Sequence, residues 1–364
     1  MKKKWVTLFE RYEDFHYCKD VGQIPFHANK CLGFDTELWR KALKSHQEKK
    51  DGFLLVDIAT ENTGTKISIK LILEIIRHAK EIDYFQLFHF RTYTLLYAYI
   101  YKFFNKNGVV IIKCDIGDSL KPFDNSNLMF KFLAKIALRK LDLVSAEHSS
   151  VYKFFEKKGI PCALVPNGVS NYFYTLTDNE SMKKVDVPTI IFVGKCGDPR
   201  KNAELAISAF CNLPSNLNWN AYFLGGETSD FKIYFDKKVE LYPWIKDKIF
   251  FKGFVKSTQN IIELYKKSHI FLMTSKEEGY PISLVEACWM RCFPILSPES
   301  GGKDLIENSA GQIYKDEDDL TALLEKSIKN IEETIAHGNC CHDYVNNNND
   351  WRKNIIKLSG QHSK

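Results

Sequence analysis

The sequence is dominated by one rhythm. Short, almost unbroken apolar runs alternate with longer amphipathic stretches, stop once, and start again. Residues 5–9, 35–39, 53–58, 84–88, 109–113, 143–146 and 163–165 read as strands, with helix-like stretches such as 67–80, 92–104 and 127–140 between them. The runs are apolar at nearly every position, as strands covered on both faces require. Strand and helix in alternation predict a doubly wound parallel sheet. Residues 171–187 are polar, lack a period and read as a linker. From Pro188 the alternation resumes with strands at 189–193, 221–224, 249–251, 269–273, 294–297 and 312–314. The expected organisation is an α/β chain with a Rossmann-like domain at 1–170, a linker at 171–187 and a second Rossmann-like domain at 188–345. A C-terminal helix within 346–364 should pack back toward the first domain. Two such sheets facing across a cleft would bind ligands at the carboxyl ends of their strands.

Composition narrows the class. Of 364 residues, 45% are hydrophobic and 26% charged, which excludes a disordered or fibrous chain. No apolar run reaches the roughly 18–20 residues that cross a bilayer. The basic start is followed by an apolar run too short for export, then by Glu10 and Arg11. A cytoplasmic location, or one at the inner face of the plasma membrane, is expected. Residues 1–170 hold 27 Lys and Arg against 19 Asp and Glu, whereas residues 171–364 hold 24 against 26. The surplus positive charge suits an anionic partner of the first half. Lys131, Lys135 and Arg139 form one stripe of the stretch 127–140, which suits peripheral contact with an anionic membrane. No basic-aromatic interleaving supports a nucleic-acid partner. The ten cysteines are scattered and should stay reduced. His337, Cys340, Cys341 and His342 cluster, but without a second ligand pair at a useful spacing, so no metal site is expected.

The segment from His269 to Ala287 carries the chemistry. It reads as a buried strand, a tight acidic loop containing Glu278 and Gly279, and a helix opened by Pro281 at its first position. The amides of Ile282, Ser283 and Leu284 would then face an anion along the helix dipole. Glu278 and Glu286 stand eight residues apart. Carboxylates suit hydroxyl donors and repel a diphosphate, so the pair should flank the phosphates of a nucleotide sugar. On spacing alone, a helix cap and a solvated helix glutamate are the commoner reading, since two glutamates at this distance often occur by chance.

This segment resembles the E-x7-E motif of retaining GT-B glycosyltransferases of the glycosyltransferase family 4 type, in their bacterial polysaccharide branch. Val165-Pro-Asn-Gly-Val169 is similar to the hinge of that family. The stretch 192–202, the markers Phe251 to Val255 and Leu264-Tyr265, and the first loop Lys19 to Pro25 follow in the family's order. The resemblance implies a GT-B fold and a hexosyltransferase that moves sugar from a UDP- or GDP-sugar. The acceptor would be a glycan or lipid-diphosphate-linked glycan in surface polysaccharide synthesis (capsule, O-antigen or exopolysaccharide). It further implies that Glu278 binds donor-sugar hydroxyls, Glu286 the ribose, and the backbone from Gly279 through Tyr280, Ile282 and Ser283 to Leu284 the diphosphate. A basic pair neutralises the leaving group. Lys195 is one member. The other is Arg200 by spacing or Lys201 by its place beside Asn202, and Lys201 is favoured. Gly22 corresponds to the glycine loop near the donor phosphates, and His89 to a strand-end histidine that contacts the transferred sugar. Lys113 and Asp115 lie at the end of the next strand and either face the acceptor or form an ion pair. Arg291 departs from the family by replacing a frequent glycine. Positive charge at the phosphate would make the enzyme metal-independent and without a cofactor. The alternative is a catalytically silent GT-B subunit that binds and regulates a partner transferase. The intact glutamates and basic loop argue against it.

Overall fold

The computed structural model describes residues 2–60, 67–114, 140–177 and 184–360. The basic stripe at 131–139 and Asp115 lie outside them. The chain divides into two units, Met1–Asn171 with Asp350–Lys364, and Tyr172–Asn349.

The first unit is built on eight strands: β1 (Lys4–Leu8), β2 (Asp35–Ala42), β3 (His46–Lys50), β4 (Phe53–Ala59), β5 (Tyr84–Phe88), β6 (Val109–Cys114), β7 (Leu143–Ala146) and β8 (Cys162–Leu164). Their order is β3-β4-β2-β1-β5-β6-β7-β8, reversing between β1 and β5. Successive residues alternate between two cores, as side chains of a strand must. Val6 and Phe85 enter one core, Trp5 and Tyr84 the other. The sheet departs from the all-parallel expectation at one edge, where β3 runs antiparallel to β4. Its sequence, His-Gln-Glu-Lys-Lys, is polar throughout and exposed over its first four residues. A charged edge strand of this kind blocks further pairing, and it carries no apolar run by which to find it.

The helix Trp351–Ser359 completes this unit. Trp351, Ile355 and Leu358 bury against Trp5, Phe34 and Tyr84. The Trp351 indole donates to the Gly168 carbonyl at 3.0 Å, and Asn354 Nδ2 to the Pro166 carbonyl at 2.8 Å.

The second unit holds β9 (Thr189–Val193), β10 (Asn220–Leu224), β11 (Ile249–Gly253), β12 (Ile270–Met273), β13 (Phe293–Leu296) and β14 (Gln312–Ile313), all parallel. Their order is β11-β10-β9-β12-β13-β14. Counted from β9 this is 3-2-1-4-5-6, the doubly wound order of dinucleotide-binding sheets. Its reversal lies between β9 and β12. The stretch read as a linker begins instead with a helix, Asn171–Thr177, most of which groups with this unit. The buried side chains of Phe173 and Tyr174 hold it there, packing beside Tyr265 and Trp289. Seven residues are too few to display a helical period.

Candidate active site

A reversal of strand order leaves the loops after the two central strands diverging, which opens a crevice at their carboxyl ends. In the second unit those loops follow β9 and β12. They are tied together by backbone. Thr274 Oγ1 donates to the carbonyls of Lys201 (3.1 Å) and Asn202 (2.8 Å), and the Lys276 amide to that of Arg200 (2.7 Å). Asn202 takes a left-handed φ of 51°, which turns the chain into the helix Ala203–Cys211. Gly194 leaves room for the Lys201 stem, since a Cβ there would stand 3.1 Å from Lys201 Cδ.

The result is a contact between two of the expected site residues. The Lys201 ammonium donates to Glu278 Oε1, which also accepts from Ser275 Oγ at 3.0 Å. Both side chains are mostly shielded, 26% and 17% exposed. Arg200 points elsewhere. It pairs with Asp198 at 2.9 Å and is 70% exposed, and that guanidinium holds the Asp198 carboxyl below its usual range. Lys195 is exposed and has no partner among the described residues.

The helix after β12 spans Ile282–Trp289. Pro281 is its N-cap, with φ −71° and ψ 120°, one position earlier than the sequence suggests. Its carbonyl accepts from the amides of Leu284 (3.2 Å) and Val285 (3.4 Å). The Leu284 amide is thus used inside the turn, contrary to expectation, and its side chain is buried against Gly302. The amides of Gly279, Ile282 and Ser283 have no partner among the described residues and remain available to an anion. Tyr280 is buried, and its hydroxyl accepts from Asn349 Nδ2 at 3.0 Å, so its ring serves packing. Burial pushes that phenol's pKa up. Glu286 Oε2 accepts from the Tyr265 hydroxyl at 3.3 Å. The same hydroxyl lies 3.2 Å from the Ser283 carbonyl. Tyr265, Thr274 and Ser275 therefore hold the site. The sequence flagged Tyr265 as a marker, while the Thr-Ser step between apolar strand and acidic pair was the available signal for the others.

Arg291, where the family has glycine, adopts φ 60°, a conformation glycine takes without strain. Of the cysteine–histidine cluster, Cys341 is buried beside Ser309, Cys340 is exposed, and the His342 ring binds the Trp289 carbonyl. Among the described residues no group of three potential ligands could hold a metal ion. None of the described helices is long and apolar enough to cross a membrane.

In the first unit His89 follows β5 with a left-handed φ of 63° and donates its amide to the Lys113 carbonyl at 3.0 Å. Strained non-glycine backbone of this sort often marks a functional position. Lys113 is buried against Glu147, with Asp20 at 3.7 Å, which is the ion-pair reading of that residue. Gly22 lies in the helix Asp20–Leu32. A Cβ there would come 2.5 Å from the Tyr17 backbone, so the missing side chain is used by the chain's own packing.

Residues 175–351 match the family model described as glycosyl transferases group 1. The match lies almost wholly within the second unit. With it the chain is a transferase. A comparison with curated proteins finds no match. Among solved structures, sucrose-phosphate synthase from Thermosynechococcus elongatus superposes with a TM-score of 0.73 at 14% identity, over 99% of this chain and 98% of that one. HepE from Anabaena, in complex with UDP and glucose, gives 0.71 at 13% identity over 98% of each chain. The lipopolysaccharide outer core galactosyltransferase WaaB gives 0.70 at 15% identity over 99% and 100%. These likenesses span both units and show the GT-B fold of two Rossmann-like domains.

Proposed function

We propose that the chain transfers a hexose-type sugar from a nucleotide diphosphate sugar to a glycan or lipid-linked glycan acceptor, with retention of configuration, in surface polysaccharide synthesis. The observation that carries this is the meeting of Lys201 and Glu278 at the strand-order reversal, beside a helix start with unpartnered amides. One carboxylate, one ammonium and a set of amides at such a place suit sugar hydroxyls on one side and phosphate on the other. Glu278 would accept from donor-sugar hydroxyls and Glu286, steadied by Tyr265, from the ribose.

As the glycosidic bond to phosphate breaks, negative charge grows on the departing diphosphate. Fixed donors aimed at that charge lower the barrier. In this reading Lys201, Lys195 and the amides of Gly279, Ile282 and Ser283 would supply them. The departing phosphate oxygen takes the proton of the acceptor hydroxyl as the new bond forms on the same face, so no separate base is required. His89 would contact the transferred sugar. A metal ion is not called for by this charge balance. The likeness to HepE, whose structure contains UDP and glucose, favours a UDP donor over a GDP donor. Peripheral contact with the inner face of the plasma membrane through the basic first half belongs to the same proposal.

The test is hydrolysis and transfer by the purified protein across a panel of UDP- and GDP-sugars, with Glu278→Ala as control. Turnover of one donor, abolished in the variant, supports the reading. Absence of binding to every sugar nucleotide would overturn it.

A further inference from the structure

The first sheet has its own order reversal, and the chain leaving β1 and β5 there encloses a pocket of about 130 Å³. That is the scale of one sugar ring rather than of an oligosaccharide. Its lining includes Phe9, Glu10, Arg11, His89, Arg91 and Tyr93.

The floor is a built arrangement. The Glu10 side chain is 6% exposed, and its Oε1 accepts from the Lys41 ammonium at 2.9 Å and from the Tyr97 hydroxyl at 3.1 Å. Its Oε2 is buried with no hydrogen-bond partner among the described residues. Buried acceptors are nearly always satisfied, so this one is short of a donor. Lys41 balances the Glu10 charge. Arg11 and Arg91 are both exposed at the same pocket and form no ion pair among the described residues, so the rim carries surplus positive charge. Two guanidinium groups suit the oxygens of a carboxylate or phosphate. Phe9 and Tyr93 add the aromatic walls usual in pockets for small organic ligands.

We propose that this pocket holds an acidic sugar residue of the acceptor, a ring bearing a carboxylate or phosphate near a free hydroxyl. Arg11 and Arg91 take the anion, and Glu10 accepts from the hydroxyl. The proposal rests on the reading of the chain as a sugar transferase and deepens it by naming the acceptor's chemistry.

The experiment is calorimetric titration of the full chain with glucose, glucuronate, glucose 6-phosphate and inorganic phosphate, and with UDP in parallel. The three sugars share a ring and differ at the sixth carbon. Glucuronate or glucose 6-phosphate should bind roughly tenfold tighter than glucose and than inorganic phosphate. Arg11→Ala and Arg91→Ala should each remove about tenfold of that affinity and leave UDP binding unchanged. The tighter of the two charged sugars identifies the anion. Equal binding of glucose, inorganic phosphate as strong as glucose 6-phosphate, or arginine variants without effect would each overturn the proposal. Binding of the charged sugar without any binding of UDP supports this pocket and counts against the donor site instead.

Discussion

Lys201 and Glu278, 77 positions apart in the chain, are in direct contact because the loops after β9 and β12 meet where the strand order reverses. The ammonium that would hold the leaving phosphate is parked on the carboxylate that would hold the sugar. A bound donor offers each a better partner. Lys201→Ala should therefore lower kcat/KM by roughly 100-fold. Arg200→Ala, which removes only an exposed pair with Asp198, should cost less than about threefold. Steady-state kinetics on the donor found by the panel distinguishes the two.

Tyr265 steadies Glu286 through a single hydroxyl. Tyr265→Phe keeps the buried ring and deletes that bond, at a cost of about 1 kcal/mol in stability. The expected signature is a KM for donor raised several-fold with kcat nearly unchanged. A matching fall in kcat would show that Glu286 acts in the chemical step as well.

The second unit should lose stability as the medium is acidified. His269 Nδ1 accepts from the Thr189 amide at 3.1 Å, and burial, aided by the charge of Lys184, lowers the ring's pKa to about 4. A histidine whose folded pKa lies below its unfolded value binds fewer protons when folded. Stability is then complete above the unfolded pKa near 6.5 and falls as pH drops toward 4. Between pH 7 and pH 5 the loss should be about 2 kcal/mol. His269→Asn retains an acceptor but not the titration, so urea midpoints at the two pH values should converge in the variant.

Removing the indole that closes the first unit should be severe. Trp351 is fully buried and bonded to Gly168. Trp351→Ala should destabilise that unit by about 3–5 kcal/mol, read from its urea transition. The UDP affinity measured at low denaturant should be retained.

The sequence announces what its apolar rhythm controls. β12 is apolar at every position and β9 at every position after Thr189, and both can be located almost to the residue. The loop after β12 is legible because acidic residues, a glycine and a proline stand together between a strand and a helix. β3 was invisible because His46 to Lys50 contains no apolar residue, and its pairing depends on β4 alone. Spacing does not separate Arg200 from Lys201, since which of them reaches Glu278 depends on the room that Gly194 leaves for the Lys201 stem. The pocket at Glu10 had no local signature. β1 and β5 are far apart in the chain, and only the strand order brings Arg11 and Arg91 to one rim.

One consequence reaches beyond catalysis. The first unit includes Asp350–Lys364, which follows the whole second unit in the chain, so its interior stays open until that segment has been made. Domains emerging from a ribosome usually fold in the order they are made. Here the later-made unit can finish first, while the N-terminal sheet waits, with the face that Trp351 will seal still wet, for the helix beyond that unit to emerge.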